Sequence, residues 1–275
     1  IKMKSMYNSL GISKQAFYQW KSRISIKEDN MYLTMNICKK ARKDHPGMGL
    51  RTIWDKHKPS LGRDQFINQG MLLGMGVKPK KNYSKTTDSR GITKFDNRTK
   101  DVKLTRVNQV WVSDISYYKV RAQWFYMTLI MDLFSRRIVG YSASKNLTTE
   151  NTTLAAINYA LSWRMINTSN QPTIMHSDGG GQYYDKAFRK VLAQYQMLSS
   201  MANGVYENPN AERLNRTIKE QYLNHYDINT FIQYKNGLAK ACLMYNQKPH
   251  SALNKLSPNE FEERLSLKVF HKVNN

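Results

Sequence analysis

The sequence predicts an α/β domain built on a mixed sheet, with a small all-helical region in front of it. Three observations carry this. At Val110 the pattern switches from helical and polar spacing to strand-like runs rich in β-branched and aromatic residues. From there the order reads as three strands, a helix, a strand, a helix and a short strand. The charge is also unevenly divided. Of a formal net +23, residues 1–110 hold 24 Lys and Arg against 8 Asp and Glu, and residues 111–275 hold 19 against 12.

So basic a leading half attracts a polyanion, and nucleic acid is the usual one. A membrane partner is not expected: no apolar run reaches the ~18 residues of a span, and no basic amphipathic helix shows an aromatic apolar face. The chain opens Ile1-Lys2-Met3-Lys4, without an apolar signal region or a natural start, and so reads as a fragment or one part of a longer product. Cys38 and Cys242 have no zinc-like spacing with histidine and read as reduced thiols of an intracellular, cytoplasmic protein.

Residues 1–77 form the helical region. Within 5–23 the spacing predicts two short helices around Gly11, with Leu10, Ile12, Phe17 and Trp20 on an apolar face. Lys14, Gln15, Tyr18, Gln19, Lys21 and Arg23 make the polar one. Helix-turn-helix DNA binders present such a second helix, which makes Lys14 and Arg23 candidate DNA contacts; a plain helix pair is the equal alternative. Residues 30–78 continue helical, MLLGMGV closes on glycine, and the methionines read as core filler. Residues 78–108 are a polar, basic linker without periodicity. Lys80 and Lys81 lie in it, as phosphate contacts or simply as solvated charges.

The core is expected over 109–226. VWVSDISYYKV is the first strand, WFYMTLIMDLF a near-continuous buried one, and RRIVGYSAS the third. Thr148-Thr149-Glu150 reads as a helix start, followed by Leu154, Ile157 and Leu161 at helical spacing. PTIMHSD is the next strand; Phe188, Val191, Leu192 and Tyr195 mark a helix, and 196–202 a short strand. Asn208 before Pro209 reads as an N-cap opening a helix to about Tyr226. That helix carries Glu212 in its first turn and Arg216 and Lys219 on the same face. Residues 227–275 hold a helix over 228–245 and a turn-rich tail expected to pack back on the core.

Three acids stand out. Asp114 lies inside an otherwise apolar strand, which is costly unless the charge is paired or binds a metal. Asp178 ends a strand beside Gly179-Gly180-Gly181, a usual place for chemistry in an α/β sheet, although an Asp-Gly turn with a capping carboxylate is the plainer reading. Glu212 opens its helix. If the first and fourth strands are neighbours, all three can converge. Gathered carboxylates repel and call for cations, and hard oxygen donors suit Mg²⁺ or Mn²⁺. Two ions ~3.5–4 Å apart serve phosphodiester chemistry. Other residues read structurally: Asp132 as a hydrogen-bond acceptor, His176 as a satisfied histidine, and Trp111 and Trp124 as core. His250 is left between DNA contact and packing.

Trp111-x-x-Asp114-Ile115-Ser116-Tyr117, His176-Ser177-Asp178-x-Gly180-x-Gln182-Tyr183 and Asn210-Ala211-Glu212-x-x-Asn215-x-x-x-Lys219-x-Glu220 resemble the DDE signature of bacterial insertion-sequence transposases of the IS-three family, in its OrfB part. HPGMGLRTI upstream, Asp132-Leu133-Phe134-Ser135-Arg136 and Tyr245-Asn246-x-x-x-Pro249-His250-x-x-Leu253-x-x-x-Ser257-Pro258 extend the match over nearly the whole chain. The resemblance implies a ribonuclease H-like catalytic fold, with Asp114, Asp178 and Glu212 as catalytic metal ligands for two Mg²⁺ or Mn²⁺ ions. Lys219, and more weakly Arg216, would contact DNA. It implies cleavage at the element's inverted repeats to leave a 3′-hydroxyl, attack by that hydroxyl on the other end and then on target DNA, and a dimer or larger assembly on double-stranded DNA. An upstream OrfA segment would be a partner, and the setting the bacterial nucleoid. One departure is the Asp178–Glu212 interval, two residues shorter than the family usually has, which keeps Glu207 as a second candidate for the third acid. Two other classes stay in view: a catalytically silent DNA-binding protein derived from a transposase, and a nuclease that only hydrolyses. A retroviral-type integrase would need a His-His-Cys-Cys module that Cys38, His45 and His57 do not form.

Overall fold

A computed structural model of the chain describes residues 7, 9, 11–77, 95–164, 171–202 and 207–273, with side chains to 267. Two compact units divide it, Ile1–Lys78 and Pro79–Asn275.

In the first unit, α1 spans Lys14–Asp44, with the Ser13 hydroxyl oxygen accepting the Ala16 N–H at 3.1 Å. One 31-residue helix thus replaces the short helix read over the polar stretch up to residue 23. No glycine or proline lies between Gly11 and Pro46, and a helix once nucleated propagates until something stops it. Its buried residues, Thr34, Cys38 and Ala41, all lie in the second half. There they meet α2 (Leu50–His57) and α3 (Arg63–Leu72) around Met48, Ile53 and Phe66. Thr34 donates to Gln69 Oε1 at 2.9 Å inside that core. Gly74, at φ +68°, lets the chain leave α3 in the left-handed region.

The second unit is a five-stranded sheet flanked by helices. Its strands are β1 (Val110–Val120), β2 (Gln123–Asp132), β3 (Ile138–Ser144), β4 (Ile174–Ser177) and β5 (Leu198–Met201), in the order β3-β2-β1-β4-β5. β2 runs antiparallel to β1 and β3, while β4 and β5 run parallel to β1. This is the ribonuclease H-like arrangement that the resemblance implied. Successive side chains of β1 and β2 feed opposite faces. Val110, Val112, Met127, Leu129 and Met131 meet α6 (Pro209–Gln221) and α7 (Phe231–Asn246) through Leu214, Ile218, Tyr234 and Leu238. Trp111 and Ile130 meet α4 (Thr153–Trp163) and α5 (Lys186–Gln194) through Ala156, Ile157, Phe188 and Leu192. Each such side chain fully withdrawn from water contributes ~1.5–3 kcal/mol, so the two cores hold the sheet rigid beneath the site. At Gly140 a Cβ would stand 2.5 Å from the Ala156 carbonyl oxygen, so only glycine lets α4 sit this close to β3.

Several expectations need correction. Thr148–Glu150 is a turn, in which Asn151 donates to Asn146 Oδ1 and Thr148 Oγ1; α4 starts only at Thr153. Trp124 is 46% exposed at the end of the β1–β2 hairpin, edge-on to Tyr117, and is not core. The Asn208 side chain does not cap α6; its Nδ2 donates instead to the Ser113 carbonyl at 2.9 Å. The tail contains a sixteen-residue helix, α8 (Pro258–Val273). Glu262 on α8 takes Arg137 at 2.6 Å and Arg164 at 2.6 and 2.9 Å, tying the tail to the β2–β3 turn and the end of α4. Among the described residues no helix is long and apolar enough to cross a membrane.

Candidate active site

β1 and β4 are neighbours, as the convergence of the acids required. Their parallel register pairs Val110 with Ile174, Trp111 with Met175 and Val112 with His176. Continued two residues further, the same offset sets Asp114 beside Asp178, just past the end of β4. Two carboxylates from strands far apart in sequence thus meet at the carboxyl end of the central parallel pair.

Each is held differently. Asp114 Oδ2 accepts the Asn215 side-chain amide at 2.8 Å, from α6. Burial first, then the Asp178 charge and, less, Glu212, push the Asp114 carboxyl up to about 7, against Asn215 and Lys219, which favour the anion. Asp178 Oδ1 accepts the Gly180 N–H at 3.1 Å, and a Cβ at Gly180 would stand at 3.1 Å from that same oxygen. Burial raises the Asp178 carboxyl too, with the Gly180 N–H opposing it. Beneath both lies Tyr183, whose buried hydroxyl shares a 2.8 Å hydrogen bond with Ser113 Oγ.

Glu212 sits exposed on the first turn of α6. Partial desolvation raises its carboxyl; Arg216 opposes this and Asp178 adds to it, so the three acids share one electrostatic neighbourhood. They do not close into a cluster: among the described residues no three His, Cys, Asp or Glu side chains lie near enough together to hold an ion. Lys219, two turns after Glu212, is half-buried; desolvation lowers its ammonium, against the pull of Asp114. Arg216 is exposed.

Glu207 is engaged elsewhere. Its carboxylate takes the Asn97 amide at 2.7 Å and Lys100 at 3.0 Å, and its carbonyl faces His176 Nε2 at 3.1 Å. His176, buried and bonded also to Ser200 Oγ at 2.9 Å, is a satisfied strand histidine that anchors the approach to α6. Asp132 accepts the backbone N–H groups of Asn108, Phe134 and Ser135, as a structural acid does.

Lys14 and Arg23 are exposed on α1 in the other unit, and Lys80, Lys81 and Leu10 lie outside the described residues. Asn215 and Tyr183 were given no role from the sequence. Their signal was present, since both fall inside the motif runs, but a neutral amide and a phenol carry no charge cost to draw notice.

The integrase core domain family matches residues 105–203, and a second integrase core domain description matches 202–258, together more than half of the chain. The chain is 26% identical to an uncharacterized 31 kDa protein of insertion element IS600 from Shigella sonnei, covering 94% of this chain and 98% of that one. It is 29% identical to the transposase InsF for insertion sequence IS3A of Escherichia coli strain K12, over 57% of this chain and 54% of the relative. With the transposase for insertion sequence element IS904 of Lactococcus lactis it shares 28% identity over 58% and 64%. The chain thus matches only 54% to 64% of the length of these two named transposases. Among solved structures, the HTLV-2 integrase catalytic core domain in complex with magnesium aligns over 51% of this chain and 88% of its own, at 24% identity and a TM-score of 0.42. The integrase-core match falls on the strands and helix that carry the three acids, and the relatives extend it on both sides: this chain belongs to the integrase-core family of IS3-type insertion-sequence transposases.

Proposed function

We propose that this chain is a divalent-metal-dependent DNA transposase that cleaves a strand at the ends of its element and transfers the freed 3′-hydroxyl to another phosphodiester. Family membership supports DNA transposition. The chemistry rests on one observation: the β1–β4 register sets Asp114 beside Asp178 without a cation strong enough to keep Asp114 at an ordinary carboxylate's acidity.

The donor set fits Mg²⁺ or Mn²⁺ in kind. It consists of carboxylate oxygens, two of them side by side, under-neutralised by their own surroundings. Asp114, Asp178 and Glu212 would hold the metal, which supplies charge neutralisation for the attacking and leaving oxygens of an in-line displacement. The chain's own residues prepare that chemistry. Asn215 fixes the Asp114 carboxylate by one oxygen, and among the described residues the other accepts no hydrogen bond. Gly180 does the same for Asp178. The rigid β1–β4 pair fixes their separation. Lys219 and Arg216 give α6 a cationic edge beside the acids, suited to a scissile phosphate. In the first step water adds to phosphorus and the bridging P–O3′ bond breaks, leaving a 3′-hydroxyl. In the second that hydroxyl is the nucleophile and a 3′-hydroxyl of the attacked strand leaves, so phosphodiester bonds are conserved and no covalent enzyme intermediate is needed. Joining two ends requires that both be held, which supports a homo-oligomer on DNA, with target DNA and an upstream OrfA segment as further partners.

The test is a strand-transfer reaction with the element's own labelled end and Mg²⁺ or Mn²⁺, beside Asp178→Asn. Joined products that vanish in the variant are expected. Nicks without joining would favour a hydrolytic nuclease; binding without any metal-dependent product would favour a silent DNA-binding descendant.

A further inference from the structure

Helix α6 has two polar flanks on either side of its buried stripe of Ala211, Leu214 and Ile218. At ~100° per residue, Glu212, Asn215 and Lys219 share one flank. Asn210, Arg213, Thr217 and Gln221 share the other, about half a turn away. This second flank faces cations. Arg136, from the β2–β3 turn, donates through Nη1 to Asn210 Oδ1 at 2.7 Å. Lys248, after α7, donates to Gln221 Oε1. Arg213 itself is exposed, and its guanidinium has no hydrogen-bond or ion-pair partner among the described residues. Three cations therefore stand along one helix face, two of them half-buried, and the groups that hold them are neutral amides rather than acids.

Like charges brought together cost free energy unless an anion joins them. The acid nearest Arg136, Asp132, is saturated by three backbone N–H groups. Two other half-buried arginines of the unit, Arg137 and Arg164, are instead paired directly with the Glu262 carboxylate. The contrast is local: here the matching anion is left to come from outside. Burial agrees with this: it holds Arg136 below its usual range, with the Arg213 charge adding to the effect, and by itself pushes Lys248 down to about 8.

We propose that Arg136, Arg213 and Lys248 form a second phosphate-binding strip, on the flank of α6 opposite the carboxylates, that takes successive backbone phosphates of a DNA strand. The proposal rests on the DNA-transposase reading above. A helix with its side chains is ~10 Å across, so these phosphates belong to a different stretch of backbone from the one at the acids. Arg213 is the primary contact, with its fork free; Arg136 and Lys248, fixed by Asn210 and Gln221, complete the field.

The experiment measures equilibrium binding of the full chain to an element-end duplex from about 50 to 200 mM salt, for the natural protein, Arg213→Gln, Arg213→Lys and Arg213→Gln/Lys248→Gln. Each lost phosphate contact should make the log–log salt slope shallower by about 0.9, so the double variant loses about twice what Arg213→Gln loses, while Arg213→Lys keeps the slope. An unchanged slope in both Gln variants, with a steep slope in the natural protein, overturns the site and leaves the transposase reading standing. A flat slope in the natural protein itself overturns the DNA reading and this inference together. If half-buried Lys248 proves necessary for folding, seen as loss of the melting transition, the exposed Arg213→Gln alone decides.

Discussion

Two groups of acids in the same unit are treated in opposite ways. Asp132 and Glu262 are saturated. Asp132 accepts three backbone N–H groups, and Glu262 takes two arginines at 2.6 Å. Burial lifts the Glu262 carboxyl, but its arginines outweigh that and hold it below its ordinary value. Burial displaces Asp132 upward too, against its N–H donors, so displacement alone does not set Asp114, Asp178 and Glu212 apart; they are raised by burial with fewer donors to oppose it and, for Asp114 and Glu212, with the charge of a neighbouring acid added. Asp114 has one amide and a half-buried lysine; Asp178 has one backbone N–H. A fold that can saturate acids a few residues away leaves these short. The difference separates carboxylates that hold structure from carboxylates left short of donors, which is what the proposed metal site requires.

The contrast can be broken most sharply by exchanging effects. Asp178→Asn should cut strand transfer by about a thousandfold, several kcal/mol of transition-state stabilisation at ~1.4 kcal/mol per tenfold, while the melting temperature holds or rises. Glu262→Ala should do the reverse. It strands Arg164 and Arg137 and costs about 3 kcal/mol of stability by chemical denaturation, with strand transfer per folded molecule little changed. If Asp178→Asn unfolds the protein, or Glu262→Ala leaves it as stable, the division fails.

A finer test is Asn215→Ala. Asn215 positions Asp114 rather than touching substrate, so its loss should raise the Mn²⁺ concentration for half-maximal activity by about 10–100-fold, with the fold intact. Asn215→Asp, which adds a fourth carboxylate, should not rescue it. An unaltered metal requirement would remove Asn215 from the site.

The smallest effect is in pH. Asp114 titrates near 7 in the folded protein against an ordinary 3.8. The folded state therefore binds the extra proton, and this group's contribution to stability is greatest below about 4 and lost as pH rises to about 7. Without divalent metal, the melting temperature of the natural protein should fall across that window relative to Asp114→Asn, and Mg²⁺ should reduce the difference. Parallel curves for the two proteins would show that Asp114 is not displaced.

Much of this was legible in the sequence for a physical reason. Burial on two faces writes itself as apolar runs, so β1, β2 and β4 were visible, and an aspartate inside such a run carries a desolvation cost that marks it. What escaped was decided by tertiary contacts or by absence. Nothing local announces that α1 runs on from Lys14 to Asp44; only the lack of a breaker does. Asn208 looked like a cap because Asn-Pro usually is one, but a longer-range bond to Ser113 claimed its amide. Trp124 looked buried because its strand is, yet it lies past the covered part of the hairpin. Helix α8 was hidden by its turn-rich approach, and Glu262 finds its partners more than ninety residues away. The basic flank of α6 was invisible for the same reason, since Arg136, Arg213 and Lys248 share no local pattern.

The most direct test of the central claim is calorimetric titration of Mn²⁺ into the protein on an uncleavable element-end duplex, for the natural chain, Asp114→Asn, Asp178→Asn and Asp132→Asn. Binding in the natural chain that is lost in Asp114→Asn and Asp178→Asn but kept in whatever Asp132→Asn protein folds is the predicted result. Equal Mn²⁺ binding in the natural chain and in both site variants would contradict it.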